Sequence, residues 1–284
     1  MKAPPVTADV AVVFGSGLAA IPDGAIIERQ YALADYGWPA PAVAGHGSTL
    51  VAARLGPSIG DADRGSGAGP ALDDGAELRL PPVRLALVHG RPHLYEGWSE
   101  AELERAVTDL ASWGIRRFLL LNACGSLAEG IAVGEVVVGT ELVDLQAPPV
   151  DAPPRLPVCD PASAARVAAA LAPGMRARTG VYVAVSGPQY ETPAEAAWLA
   201  GHGDVVGMST APEVRAARRA GAELCLLSLV VNRAAAVGSH DEVLATAARF
   251  RAGVGAALEA VLAARWPELA GGARDAVPAP SGPT

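Results

Sequence analysis

The amino-acid sequence predicts an α/β fold in a single domain. Three observations predict it. The 284-residue chain is 51% hydrophobic but holds only three Phe and five Tyr, so its apolar mass is mostly Ala, Val, Leu and Gly, which suits helices packed on buried, largely parallel strands. Short β-branched or aliphatic runs recur along its length. Helix-start signatures fall between and after those runs.

In chain order, the first strand is expected over Val10–Phe14, an unbroken apolar run of the kind buried on both faces. Further strands are expected over 83–88, 117–121, 135–138, 180–185 and 224–231. A short strand around Val206 should turn directly into a helix. Four S/T-x-x-E patterns read as capping boxes: Ser99 with Glu102, Thr192 with Glu195, Thr210 with Glu213, and Ser239 with Glu242. In each, hydroxyl and carboxylate reciprocally satisfy backbone donors that a helix leaves unpaired. A further helix is expected over Pro161–Leu171, capped by Asp160 and followed by Gly174, and the longest over His240–Arg265. Residues 56–82, rich in Gly, Asp and Ala without apolar period, read as a flexible surface insertion, and residues 271–284 as a disordered tail after a domain spanning 1–270. No internal repeat or heptad run interrupts this pattern.

Bulk properties exclude several classes of function. A formal net charge of -8 gives no basic field for a nucleic-acid backbone, although a small anion needs only a local cationic pocket. Cys124, Cys159 and Cys225 are odd in number and far apart, which argues against a disulfide framework or a zinc site and fits a reducing cytoplasm. Met1 to Pro5 lacks the layout of a signal peptide, and no run of about 18 apolar residues suggests a membrane span.

Chemistry-bearing residues cluster where strands end. Gly15-Ser16-Gly17 follows the first strand and offers backbone N–H groups and a hydroxyl to an anion. With Ala20 it also matches G-x-G-x-x-A, with Asp35 as the ribose-binding acid, but Pro22, Asp23 and Gly24 interrupt the helix that a dinucleotide site requires. The loop from His89 to Gly97 carries Arg91, His93, Tyr95 and Glu96, a density of donors and a carboxylate that fits a binding loop better than a solvated turn. Asn122-Ala123-Cys124-Gly125-Ser126 follows another strand, where small side chains let backbone donors approach a ligand. Cys124 has no base identifiable beside it, so it reads as a packed thiol. Glu191 stands before a capped helix, where the helix dipole alone would favour a carboxylate. Met208, Ser209 and Thr210 lead into another helix start. Asn232 closes the last strand with an amide able to donate and accept at a heterocycle edge, and His240 opens the final helix.

In this order the segments resemble the trimeric purine nucleoside phosphorylase family, to which methylthioadenosine phosphorylases are related. The likeness rests on Gly15-Ser16-Gly17-Leu18, His93-Leu94-Tyr95-Glu96-Gly97, Asn122-Ala123, Gly187-Pro188-Gln189-Tyr190-Glu191-Thr192, Val206-Gly207-Met208-Ser209-Thr210, Asn232, and His240-Asp241-Glu242-Val243-Leu244. The resemblance implies a mixed central sheet flanked by helices, a homotrimer, and phosphorolysis of a purine (deoxy)ribonucleoside to free base and pentose 1-phosphate. It implies no metal or organic cofactor. Phosphate would be held by Ser16, His46, Arg91, His93, the backbone of Ala123, and Ser209. Tyr95, Met208 and His240 would line the sugar, and Tyr190, Glu191, Val206 and Asn232 the base, with Glu191, Asn232 and His93 catalytic. Asn at 232 goes with 6-oxopurines in that family, where the methylthioadenosine enzymes carry Asp. The alternatives are a 5'-methylthioadenosine or methylthioinosine phosphorylase and a silent nucleoside-binding homologue. The chain departs from the family's Asn-Ala-Ala-Gly-Gly at Cys124 and Ser126. Between Leu145 and Thr179 it is shorter than typical members, with no aromatic residue identifiable as the one a neighbouring subunit lends to the sugar.

Overall fold

The computed structural model of the protein describes residues 5–42, 47–56, 81–146, 153–171, 173–236 and 240–269. The expectations for residues 57–80, for 271–284 and for the Ser239 cap lie outside the described residues. Ten strands form one mixed sheet: β1 Val10–Phe14, β2 Ile26–Ala32, β3 Thr49–Leu55, β4 Val83–His89, β5 Arg117–Ser126, β6 Val136–Asp144, β7 Arg155–Pro157, β8 Ala177–Ala184, β9 Val205–Gly207 and β10 Glu223–Arg233. The helices are α1 Glu100–Leu103, α2 Arg105–Ser112, α3 Pro161–Leu171, α4 Pro193–Leu199, α5 Ala211–Arg219 and α6 His240–Arg265.

Strand β1 lies between β4 and β5, parallel to both, and every one of its residues is buried, as an all-apolar run demands. From β4 the sheet continues antiparallel through β3 to the edge strand β2. On the other side β5 pairs with both β10 and β9, β10 with β6, β6 with β8, and β8 with β9, so five strands close into a ring that shares β5 with the open half. Helix α3 packs on α6, β6 and β8, while α1 and α2 pack on α5. Trp266, just past α6, is fully buried and donates from Nε1 to Glu223 at 3.0 Å, anchoring the end of the helix to the start of β10.

Several elements depart from expectation. β5 does not stop at Leu121 but runs on to Ser126, because Asn122 to Cys124 pair with Ser228 to Val230 of β10, and Gly125 and Ser126 pair with Val206 and Val205 of β9. The segment expected to follow the strand is therefore part of it. β2 and β3 form an antiparallel pair before the segment read as an insertion, and β7 is a three-residue appendage to β6. The caps at Ser99 and Thr192 form as anticipated, each hydroxyl accepting from the N–H three residues on. Asp160 accepts from the Ser163 N–H at 2.9 Å. The Thr210 capping box does not form: Thr210 has φ 78 and no capping bond, and Glu213 is committed elsewhere. A buried arginine is the stronger claimant on that carboxylate.

Candidate active site

Strand ends and the loops after them converge on a cavity of about 360 Å³, within the usual size range of small-ligand pockets. β1 delivers Gly15 and Ser16; the far half of β5 delivers Asn122, Ala123, Cys124 and Gly125; β9 and the residues after it deliver Val206 to Ser209; β10 delivers Val231 and Asn232. The loop after β4 adds His93 and Tyr95, the loop after β8 adds Pro188, Tyr190 and Glu191, and α6 adds Val243. Of the residues singled out from sequence, Ser16, His93, Tyr95, Ala123, Tyr190, Glu191, Val206, Met208, Ser209 and Asn232 all line this one cavity.

Arg91 is placed differently. It is buried behind the wall rather than on it, with Nε 2.6 Å from Glu213 Oε1 and Nη1 donating to the Leu121 carbonyl at 2.6 Å. A Cβ on Gly15 would stand 2.9 Å from Arg91 Nη1 and 2.9 Å from the Leu121 oxygen, so only glycine lets the turn after β1 lie between this guanidinium and the cavity. His46 and the side chain of His240 lie outside the described residues.

The loop residues are held rather than floating. Glu96 Oε1 accepts from the His93 N–H at 2.7 Å and lies 3.0 Å from His93 Nδ1, while Oε2 accepts from the Ala42 N–H at 2.7 Å. Burial opposes ionisation of Glu96, but these hydrogen bonds together hold its carboxyl below the ordinary carboxylate range. The His93 ring stacks on Tyr95, centroids 4.8 Å apart. Burial, then the Glu96 charge and Tyr190, push the Tyr95 phenol up to about 12, so it remains a neutral hydroxyl at neutral pH. Gly187, at φ 69, brings the β8 loop onto Met208 and Tyr95, where any side chain would collide with the Met208 sulfur.

The other end of the cavity is more open. Glu191 is half-buried, and burial, reinforced by the charge of Glu195, raises its carboxyl above the usual range. Asn232 sits where β10 bulges against Gly125, and its Nδ2 donates to the Arg233 carbonyl at 2.9 Å. Cys124 lines the cavity but is buried, and desolvation raises its thiol, so it stays protonated as a packing group.

The sequence points to no site role for Asn122, and to a helix-start role alone for Thr210 and Glu213. Asn122 Nδ2 donates to Thr210 Oγ1 at 2.8 Å, and Thr210 Oγ1 lies 3.2 Å from Ser209 Oγ. Their signal was present in the strings around Ala123 and Ser209, but the S/T-x-x-E pattern supplied a simpler local explanation. Among the described residues there is no cluster of three or more His, Cys, Asp or Glu able to hold a metal ion, and no helix is long and apolar enough to cross a membrane.

An α/β scaffold with strand ends gathered around an anion-compatible cavity defines the class, and the family described as the Phosphorylase superfamily matches residues 82–263. The purine nucleoside phosphorylase of Mycobacterium tuberculosis is 33% identical over 265 residues, covering 90% of this chain and 89% of that protein. That of a Cellulomonas species is 34% identical over 245 residues, covering 83% and 79%. The Schistosoma mansoni purine nucleoside phosphorylase solved with adenosine shares the fold, with a TM-score of 0.67, 23% identity and 90% of each chain covered. The chain belongs to the purine nucleoside phosphorylase family and is a pentosyltransferase enzyme.

Proposed function

We propose that the enzyme splits inosine and guanosine, or their deoxy forms, with inorganic phosphate into hypoxanthine or guanine and the pentose 1-phosphate. The observation that carries this reading is the gathering in one cavity of Ser16, His93, Ala123 and Ser209, fit for an anion, with Glu191 and Asn232, fit for a purine edge. Phosphate is held by Ser16, His93, the Ala123 backbone and Ser209. Arg91 supplies positive charge from behind Gly15, and His46 completes the set. Tyr95, Met208 and His240 take the sugar; Tyr190, Val206, Glu191 and Asn232 take the base.

Cleaving the glycosidic bond builds positive charge on the sugar and negative charge on the departing purine. Phosphate stabilises the first and captures C1'. Glu191 accepts from N1–H, and Asn232 donates near N7 as the ring gains electron density. No metal or organic cofactor and no nucleic acid takes part, and the single domain spans 1–270 in the cytoplasm. The assembly in this reading is a homotrimer, and Trp198, 56% exposed beside Leu145, Val185 and Leu199 next to Tyr190 and Glu191, supports a subunit contact there. Such an aromatic patch suits cover by a neighbouring subunit.

Chromatography of base released from inosine, guanosine, adenosine and methylthioadenosine, with and without phosphate, tests this. Hypoxanthine and guanine should appear only with phosphate. Adenine released chiefly from methylthioadenosine would replace the substrate assignment, and no release from any nucleoside would leave a silent binding protein.

A further inference from the structure

Thr210 is fully buried at the point where the chain leaves the cavity wall and enters α5, and it holds φ 78. For a β-branched residue that conformation is a genuine outlier, sustained only where surrounding structure fixes it. Two hydrogen-bonding neighbours surround its hydroxyl. Asn122 Nδ2 donates to Thr210 Oγ1 at 2.8 Å, and Ser209 Oγ lies 3.2 Å from the same atom. A hydroxyl has one proton to give. Because Asn122 fills an acceptor position on Thr210, the Thr210 proton is available to Ser209 Oγ. The 3.2 Å contact accommodates either hydroxyl as donor; in the arrangement where Thr210 gives its proton, Ser209 accepts it and keeps its own proton for the cavity that it lines.

We infer that Thr210 is a positioning residue that makes Ser209 a hydrogen-bond donor to the phosphate co-substrate, through a relay from the Asn122 amide to the Thr210 hydroxyl to the Ser209 hydroxyl. This rests on the phosphorolysis reading above. Without the Thr210 hydroxyl, the Ser209 proton loses its directing partner and rotates freely, and an anion loses a pre-oriented donor. Each hydroxyl in such a chain also polarises the next, strengthening the final bond. None of the residues proposed for the sugar or the base belongs to this relay, so the effect is expected on phosphate.

The test compares wild type, Thr210→Val and Thr210→Ser in initial-rate assays varying phosphate and inosine separately, with thermal midpoints measured alongside. Removing one directed hydrogen bond to an anion should raise the KM for phosphate about tenfold in Thr210→Val. The KM for inosine should stay within about twofold, and Thr210→Ser should return the phosphate KM close to wild type. If Thr210→Val does not fold, Thr210→Ala against Thr210→Ser gives the same comparison with a smaller side chain. Equal rises in both KM values, an unchanged phosphate KM, or a Ser variant as impaired as the variant lacking the hydroxyl would overturn the inference. Wild-type enzyme releasing no base in phosphate would instead overturn the phosphorolysis reading itself.

Discussion

Glu213→Ala removes one half of a buried ion pair. Arg91 and Glu213 have side chains only 2% and 8% exposed, 2.6 Å apart, and the arginine remains buried when its carboxylate is gone. Stranding a buried charge in this way costs about 3–5 kcal/mol, much more than a surface pair of the same geometry would. At roughly 2 °C per kcal/mol for a chain of this size, the thermal midpoint should fall by about 6–10 °C. The same charge lies directly behind Gly15, on the wall where phosphate is proposed to bind. In the variant, phosphate becomes the available counter-charge, so added phosphate should raise the midpoint further than it does in wild type. Saturation to about 100 times the dissociation constant restores roughly 2.7 kcal/mol by mass action alone. The assay is thermal unfolding of wild type and variant in phosphate and in chloride at matched ionic strength. A loss below about 2 °C would refute the assignment of Glu213 as the structural partner of Arg91. An equal phosphate response in both proteins would refute the electrostatic link between Arg91 and the anion.

Glu191→Gln should lower kcat/KM for inosine by about two orders of magnitude, the scale of one lost charge-stabilising contact, measured by base release. Because burial raises the Glu191 carboxyl, kcat/KM should fall on the acid side at a pH above the ordinary carboxylate range, and that limb should be absent in Glu191→Gln. The stability sign follows from the same shift: the protonated group's contribution is complete below the unfolded pKa and is lost as pH rises through the higher folded value. Glu191→Gln should therefore be no less stable than wild type at neutral pH, and a lower midpoint would count against burial as the cause. Asn232→Asp keeps an acceptor but loses the amide donor, so the ratio of inosine to adenosine cleavage should drop by about tenfold or more; an unchanged ratio would remove Asn232 from substrate choice.

Much of the fold was legible because its interior strands announce themselves. Val10–Phe14 is a continuous apolar run, and the core of β10 is nearly one, interrupted only by the small, buried Ser228. The edge strand β2, with Glu28, Arg29 and Gln30 exposed, carries no such signal and forms through its pairing with β3. The far half of β5 was hidden for another reason: Asn122, Ala123, Gly125 and Ser126 have little intrinsic strand preference, and only ladders to β10 and β9 hold them extended. The cavity was more legible than its support. Residues on its wall carry recognisable chemical groups, whereas Thr210 and Glu213 matched a helix-start pattern whose local logic is complete in itself. That pattern failed because Asn122 and Arg91, distant in sequence, supplied stronger partners, and a single segment gives no sign of them.

The closed ring of five strands has a bearing on when the protein becomes an enzyme during its synthesis. Among the described residues β10 is the last strand, and the one that pairs with both β5 and β6 while also delivering Asn232 to the cavity. Until it emerges, the edge of β5 that it will occupy stays unpaired. Closure of the ring and the last of the base-facing residues, Asn232, are thus supplied by one strand, after Tyr190, Glu191 and Val206 have already been made.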